Sequence, residues 1–381
     1  VGDEAGTAIT TGDSNVFVGY QSGDATTTSD SNVGVGRGTL TTNILSDHNT
    51  AIGNGALFTH NQASSIDSYN TAVGSNAGGA VTTGIQNTLI GGLAGDALTD
   101  ADYNVAVGSY ALTSDTLGSR SVAIGYAALE DQNFTTATNS YNIGIGWNTG
   151  GAITTGTQNT LIGGLAGDAL TTGTNNVAIG YNTLSTEDAH GSNVAIGRQA
   201  LENQNAGAEA YNVAIGSLAG NDITTGVHNV IIGGLAGDAL TDADSNVAIG
   251  MTALGADTLG SASTAVGNGT LAAQNFTTAT STYNTAVGYH AGNDITTGTY
   301  NTLIGGLAGD ALTVGYENVA VGGNALSTDD VGSRSVAIGT GALRDQNIAT
   351  AANVYNTAVG HFAGGTITTG IQNTLIGGLA G

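Results

Sequence analysis

Cysteine, proline and lysine are all missing from this chain of 381 residues. Without cysteine there is no disulfide framework and no thiolate metal site. The basic residues are five scattered arginines against 29 acidic residues, and the formal net charge is −24. Such a chain cannot build the basic surface that neutralises phosphate groups, so we expect no nucleic-acid partner. No apolar run approaches the ~18 residues that span a bilayer, and we expect no membrane contact within this segment.

Glycine is the residue in excess. The chain has 63 glycines, more than twice the usual share of about 7 %, which argues against an ordinary mixed globular domain. The only methionine is Met251, and Gly381 interrupts a recurring motif. We therefore expect the chain to be a segment of a longer protein.

One short motif returns along the whole chain: Asn, then Thr or Val, a small or apolar residue, Val or Ile, and Gly. The motif glycines keep a 17-residue spacing, as from Gly36 to Gly53, and every fourth interval is longer, as from Gly53 to Gly74. Four such turns form a 72-residue super-repeat, as from Gly74 to Gly146, and the copy that ends at Gly216 is slightly shorter. We number the turns of a super-repeat first to fourth, and the fourth carries the extra residues.

The repeat predicts an all-β fold. Apolar residues alternate with period two over four to five positions, which indicates a strand, and glycine supplies the bend that follows it. A second apolar position seven residues after the glycine extends the prediction for each turn to strand, bend, strand, bend. Turns stacked in parallel at ~4.8 Å share one core. We predict a parallel β-solenoid (β-roll) of about 22 turns, one continuous array over residues 1–381.

The first position of the motif is Asn in 18 of 21 complete copies and Ser121, Ser263 or Ser335 in the others. Asn stacked on Asn predicts a ladder of side-chain amides, together with a role as a turn residue in the left-handed conformation.

Both faces of the predicted strand are apolar. We assign the Val or Ile just before the motif glycine to the core, and the residue before that to the opposite face. A strand that is apolar on both faces is buried on both, which predicts a lateral oligomer of parallel chains. Its interface would use the large residues of second turns: Leu89, Leu161, Ile231, Leu303 and Leu375. The alternative is that a third side of each turn covers this face internally.

The recurrent Asn-Val-Ala-Ile-Gly, at 175–183 and 211–219, resembles the head repeat of YadA-like trimeric autotransporter adhesins. The run at 284–298 is similar to repeats of phage tail-fibre shafts. The resemblance covers essentially the whole chain, although 17-residue turns and the 72-residue super-repeat depart from the adhesin pattern. It implies a trimeric parallel β-roll that provides reach and attachment at a cell or virion surface, with no catalytic residues.

We therefore expect a structural shaft of an extracellular attachment fibre or filament, self-associating side by side into a homotrimer, and not an enzyme. The alternatives are a glycan-binding adhesin that uses the loops of every fourth turn, or a phage tail fibre. An enzyme would need a single irregular cluster of acid and base groups, and strict repetition supplies none. The sequence leaves handedness, oligomer number and receptor open.

The extra residues of the fourth turns predict one loop per super-repeat. Insertions in solenoids emerge on one face, often the binding face. Four loops share Gln-Asn and end in Tyr, which makes these residues candidates for contact with a repetitive glycan, a cell-surface receptor or a neighbouring fibre: Gln132, Asn133, Tyr141, Gln204, Asn205, Tyr211, Gln274, Asn275, Tyr283, Gln346, Asn347 and Tyr355. The alternative is that the tyrosine packs each loop back onto the solenoid.

Second turns carry two sets of aspartates, and these suggest calcium because it prefers oxygen ligands. The sets are Asp96, Asp100 and Asp102, and Asp238, Asp242 and Asp244. Their spacing matches neither an EF-hand nor the calcium β-roll, so a solvated acidic edge is the alternative. No other cofactor is expected.

Overall fold

The computed structural model describes residues 2–381, and these residues form strands, bends and turns without any helix. The chain divides into two compact units, Val1–Gly191 and Ser192–Gly381. Each unit is a parallel β-solenoid in which most turns keep the 17-residue spacing, which confirms the predicted fold class. Continuity of the array over 1–381 stays a prediction.

In the first unit, ten motifs form three-residue strands that end just before the motif glycine, and four further strands have two residues. The strands are β1 (Val16–Val18), β2 (Val33–Val35), β3 (Ser46–Asp47), β4 (Thr50–Ile52), β5 (Ile66–Asp67), β6 (Thr71–Val73), β7 (Thr88–Ile90), β8 (Val105–Val107), β9 (Gly118–Ser119), β10 (Val122–Ile124), β11 (Thr138–Asn139), β12 (Ile143–Ile145), β13 (Thr160–Ile162) and β14 (Val177–Ile179).

The second unit has eleven three-residue strands and four of two residues. They are β15 (Val194–Ile196), β16 (Val213–Ile215), β17 (Val230–Ile232), β18 (Val247–Ile249), β19 (Gly260–Ser261), β20 (Thr264–Val266), β21 (Thr280–Ser281), β22 (Thr285–Val287), β23 (Thr302–Ile304), β24 (Val319–Val321), β25 (Gly332–Ser333), β26 (Val336–Ile338), β27 (Ala352–Asn353), β28 (Thr357–Val359) and β29 (Thr374–Ile376).

Within each unit, every three-residue strand pairs in parallel with the strand of the next turn. Equivalent motif residues are opposite one another, as in β8 and β10, where Ala106 pairs with Ala123. The longer fourth turns keep this register, because β10 pairs with β12 across the lengthened interval. The extra residues are therefore accommodated outside the strand ladder.

The predicted second strand of each turn is wrong for most turns. In the described part of the chain it exists only as the two-residue pairs β3–β5, β9–β11, β19–β21 and β25–β27. Elsewhere the chain bends too sharply for a ladder. The amides of Thr154, Thr155 and Gly156, for example, all donate to the Thr171 carbonyl at 2.9, 3.3 and 3.2 Å.

The face assignment of the strands is also wrong. The middle residue of each strand points into the solenoid, so Ala106 and Leu89 have no exposed surface. The Val or Ile before the motif glycine points outward, with Ile90 38 % and Ile124 36 % exposed. The interior of the solenoid is narrow, so large side chains pack against small residues. Where Leu89 fills it, Gly95 follows, and a Cβ on Gly95 would lie 2.8 Å from Leu89.

The motif glycine is required by its backbone. Gly125 has φ 134°, and a Cβ there would collide with the backbone carbonyl of Gly146 in the next turn. An L-residue is excluded on both counts. The strand therefore ends at the same place in every turn, which fixes the position of the loops that follow.

Candidate functional site

The motif asparagines form the predicted ladder. Their predicted left-handed conformation is wrong, because the positive φ belongs to the preceding residue, as in Gln86 (φ 56°) before Asn87. Asn87 is buried and its Nδ2 donates to the Ala101 carbonyl at 2.8 Å, while its Oδ1 accepts from the Asn104 amide at 3.0 Å. The Asn87 amide in turn donates to Asn70 Oδ1 at 2.9 Å. These side chains satisfy backbone groups of neighbouring turns, so their role is structural.

The ladder is interrupted at Ser121, and the fourth-turn glutamine bridges the interruption. Gln132 Nε2 donates to Ser121 Oγ at 2.8 Å, and its Oε1 accepts from Asn142 Nδ2 at 2.8 Å. The glutamine thus supplies the amide oxygen that a motif asparagine would offer to the next turn.

A buried carboxylate holds this glutamine. Asp115 accepts from Gln132 Nε2 at 2.6 Å and from the amides of Gly118 and Phe134, each at 3.0 Å. Burial raises the pKa of Asp115, and its hydrogen bonds offset part of that rise. We call Asp115, Ser121, Gln132 and Asn142 the bridging network.

The bridging network recurs twice in the second unit. Gln274 donates to Asp257 at 2.5 Å and to Ser263 at 2.9 Å, and Gln346 donates to Asp329 at 2.5 Å and to Ser335 at 3.1 Å. Burial likewise raises the pKa of Asp329. Repetition at equivalent positions indicates a part of the scaffold.

The prediction of ligand contact is therefore wrong for Gln132, Gln204, Gln274 and Gln346. None of them has exposed surface, because an amide that completes the ladder must lie inside the solenoid. The asparagines that follow them, Asn133, Asn205, Asn275 and Asn347, are exposed. Ligand contact by these asparagines stays a prediction.

The loop-ending tyrosines are about half exposed: Tyr141 52 %, Tyr211 55 %, Tyr283 53 % and Tyr355 48 %. Several contact side chains of neighbouring turns, which supports the packing alternative. Tyr211 stacks on His228 with ring centroids 5.9 Å apart, Tyr283 lies 5.1 Å from Tyr300, and Arg334 donates to the Tyr355 hydroxyl at 2.9 Å.

The aspartates of the first predicted calcium set do not converge. Asp96 accepts from the Thr113 hydroxyl, Asp100 from the Thr83 hydroxyl at 2.5 Å, and Asp102 from the Ile85 amide at 2.8 Å. Burial raises the pKa of Asp102. These carboxylates connect neighbouring turns.

The second set repeats this arrangement. Asp242 accepts from the Thr225 hydroxyl at 2.6 Å and Asp244 from the Val227 amide at 2.8 Å, while burial raises the pKa of Asp238. Among residues 2–381, the one group of three acidic or histidine side chains with ligand atoms within 4.8 Å of one another is Glu187, Asp188 and His190. That group contains no residue of either predicted set.

The predicted oligomer interface is also wrong as assigned. Leu89, Leu161, Ile231 and Leu303 have no exposed surface, and Leu375, in the last turn, is partly buried. These side chains fill the core of their own chain, which is the internal alternative considered above. The four fully buried residues therefore cannot contact a second chain.

Sequence reasoning missed the face that is exposed. Both outward positions of every three-residue strand are Val, Ile or Thr, and each is exposed or half-buried, as for Val105, Val107, Val230 and Ile232. We call these two columns, within each unit, the β-branched stripe. The stripe contains no charged residue in a chain of net charge −24. The invariance of the Val or Ile was the available signal.

Neither a family model nor a curated protein matches the chain. No helix in the described residues has the length and apolarity to cross a membrane.

Proposed function

We propose that the protein is a structural shaft of an extracellular attachment fibre or filament, in which three copies associate side by side. The observation that carries the proposal is the β-branched stripe. Its residues repeat in register with the strands of each unit, so identical copies can align turn by turn. Rotational symmetry brings the same stripe of each copy to a common axis, where Val and Ile side chains are removed from water.

A non-catalytic role is supported by the polar interior. The bridging network occurs with the same residue types at Asp115, Asp257 and Asp329, and its groups bond to one another. A catalytic centre needs convergent groups that face a substrate. The location outside the cell or on a virion is supported by the resemblance to adhesin heads and tail-fibre shafts.

Sedimentation equilibrium tests the proposal. We expect a mass three times the 37.2 kDa of the chain. Ile90→Asp/Ile124→Asp places charges on the stripe and should reduce the mass to that of one chain, because each carboxylate would have to be desolvated at the axis. The matched control is Tyr126→Asp, which adds the same charge at a side chain 53 % exposed beside the motif glycine and should leave the trimer intact.

A second variant separates misfolding from dissociation. Ile90→Thr/Ile124→Thr keeps β-branched residues of the kind found elsewhere in the stripe and should weaken association while preserving the circular dichroism spectrum. A single-chain mass for the unaltered protein, or an unchanged mass for both stripe variants, would overturn the proposal.

A further inference from the structure

The first unit contains a surface cleft of about 440 Å³ that the bridging networks and the β-branched stripe do not use. The cleft is lined by three glycines and by Gln21, Arg37, Asn54, Phe58, Asn76 and Asp96. Its volume falls within the ~300–1,000 Å³ of small-molecule sites.

The cleft exists because two successive turns lack a side chain at the same position. Gly38 and Gly55 each lie two residues after a motif glycine and have φ 66° and 69°. Tyr110 and Ala127 occupy the equivalent positions of the next super-repeat, with φ 61° and 53°. The backbone therefore accepts a side chain there, and its omission in the first super-repeat opens the surface.

Arg37 is the distinctive group of the cleft. Its side chain is exposed and has no hydrogen bond or ion pair with any of residues 2–381. Arg334 and Arg344, by contrast, are paired with Glu317 at 2.8 Å and Asp345 at 2.7 Å. A guanidinium presents a planar fork of donors that matches a carboxylate. In a chain with 29 acidic residues, an Arg kept free of them is available to an incoming anion.

The other groups select a sugar. Phe58 is 44 % exposed and its ring lies beside Gly38, so it offers an aromatic surface to the apolar face of a pyranose. The amides of Asn54 and Asn76 are exposed and make no side-chain hydrogen bond within the described residues. Each can both donate to and accept from hydroxyl groups.

Asp96 limits the charge of the ligand. Asp96 lies three turns beyond Arg37, which corresponds to roughly 14 Å at ~4.8 Å per turn. A second carboxylate placed near Asp96 would be repelled, whereas a hydroxyl can donate to it. The cleft therefore suits a ligand in which an acidic sugar is followed by a neutral sugar.

We propose that this cleft binds a linear acidic oligosaccharide in which uronate and neutral sugars alternate. The uronate carboxylate pairs with Arg37, a pyranose ring packs on Phe58, and hydroxyl groups bond to Asn54, Asn76 and Asp96. Binding requires only the first unit and does not depend on the mass of the assembly.

Isothermal titration calorimetry with a tetrasaccharide of alternating glucuronate and N-acetylglucosamine tests the assignment. We expect at least tenfold weaker binding by Arg37→Gln, by the carboxyl-reduced tetrasaccharide and by a galacturonate tetramer. Arg198→Gln is the matched control, since Arg198 also directly follows a motif glycine, and should bind as the unaltered protein does.

Gly38→Tyr/Gly55→Ala closes the cleft with the residues of the next super-repeat while leaving Arg37 in place. It should also bind at least tenfold more weakly, because the Cβ added at Gly55 would collide with Asn76 Oδ1 and displace that amide as well. Unchanged affinity of Arg37→Gln or of the closed-cleft variant would overturn the proposal. So would equal binding of the carboxyl-reduced sugar, or tighter binding of an aspartate-rich peptide.

Discussion

The fourth turns of the first two super-repeats, both within the first unit, solve the same packing problem differently. In the second super-repeat Ser121 interrupts the asparagine ladder, and Gln132 bridges it from a buried Asp115. In the first, Asn49 continues the ladder by donating to Asn32 Oδ1 at 2.9 Å and accepting from the Asn70 amide at 3.2 Å. The positions of Asp115 and Gln132 are there taken by Asn43 and His60.

This difference explains the role of the glutamine, which is to bridge an interrupted ladder. Where the asparagine ladder is intact, no bridging glutamine is required, and the position equivalent to Gln132 can hold His60. That imidazole is buried, and neither ring nitrogen has a hydrogen bond of good geometry among residues 2–381. Burial lowers its pKa to about 4, with only partial compensation from the Thr82 backbone. The substitution is accommodated at a cost in stability.

The third super-repeat shows that the two solutions are compatible. The Asn212 amide donates to Asn193 Oδ1 at 3.1 Å, and Asn212 Nδ2 donates to Gln204 Oε1 at 2.9 Å. A ladder asparagine and a bridging glutamine thus serve the same residue of the next turn.

The largest effect should come from breaking the bridged turn with Gln132→Ala. The change removes one hydrogen bond from each of Asp115, Ser121 and Asn142 and opens a cavity, which should cost about 3–4 kcal/mol. Urea unfolding measures the loss, and hydrogen exchange of the Phe134 amide, which donates to Asp115, should accelerate.

Asn133→Ala is its control. Asn133 is exposed in the same loop and accepts only from the Thr116 hydroxyl at 3.1 Å, so its loss should cost below about 0.5 kcal/mol. Equal effects of the two variants would contradict the role given to the glutamine.

The unbridged turn should make stability depend on pH. His60 has a pKa lowered from 6.5 to about 4 in the folded chain, so the unfolded state binds its proton first as the pH falls. Between pH 7 and pH 5 this removes about 2 kcal/mol of folding free energy. The test compares urea unfolding of the unaltered protein and His60→Gln at both pH values. If His60→Gln loses the same amount of folding free energy between the two pH values, His60 is not the origin of the loss. The buried carboxylates are present in both proteins and cannot account for a difference between them.

Transferring the bridging network should stabilise the first super-repeat by a smaller amount. Asn43→Asp/Asn49→Ser/His60→Gln reproduces Asp115, Ser121 and Gln132, and the new glutamine has partners that His60 lacks. We expect a gain of about 1–2 kcal/mol at pH 7. Asn43→Asp alone should destabilise, because it buries a carboxylate that has no glutamine donor. A stabilising single variant would contradict the argument.

The smallest difference should be found in the tyrosines that end the two loops. Tyr69 bonds to Asp67 at 3.1 Å and its ring lies 5.1 Å from that of His48, whereas Tyr141 makes no ring contact in the described residues. Tyr69→Ala should lower the melting temperature because it removes both contacts, and Tyr141→Ala should lower it less. Thermal melts of the two variants measure this difference. A larger destabilisation by Tyr141→Ala would contradict the prediction.

The sequence predicted the solenoid because its 17-residue period places identical motif residues opposite one another. It did not predict which face is inside, because Ala106 and Val107 are both apolar and alternation alone is symmetric. The position within the strand decides: the middle residue lies inside whether it is Ala106 or Leu89, and the branched Val107 faces outward. The longer fourth turns could be located from the sequence, but Gln132 looked like a surface amide, since the Ser121 whose ladder position it bridges lies 11 residues earlier in the chain.

The bridging network also bears on how such a chain can change length during evolution. Asp115, Gln132 and Asn142 belong to a third, a fourth and the following first turn, so a deletion of a single turn can strand the carboxylate in the interior. Recombination between whole super-repeats restores every partner at the junction. Lineages of this protein should therefore gain and lose sequence in blocks of four turns.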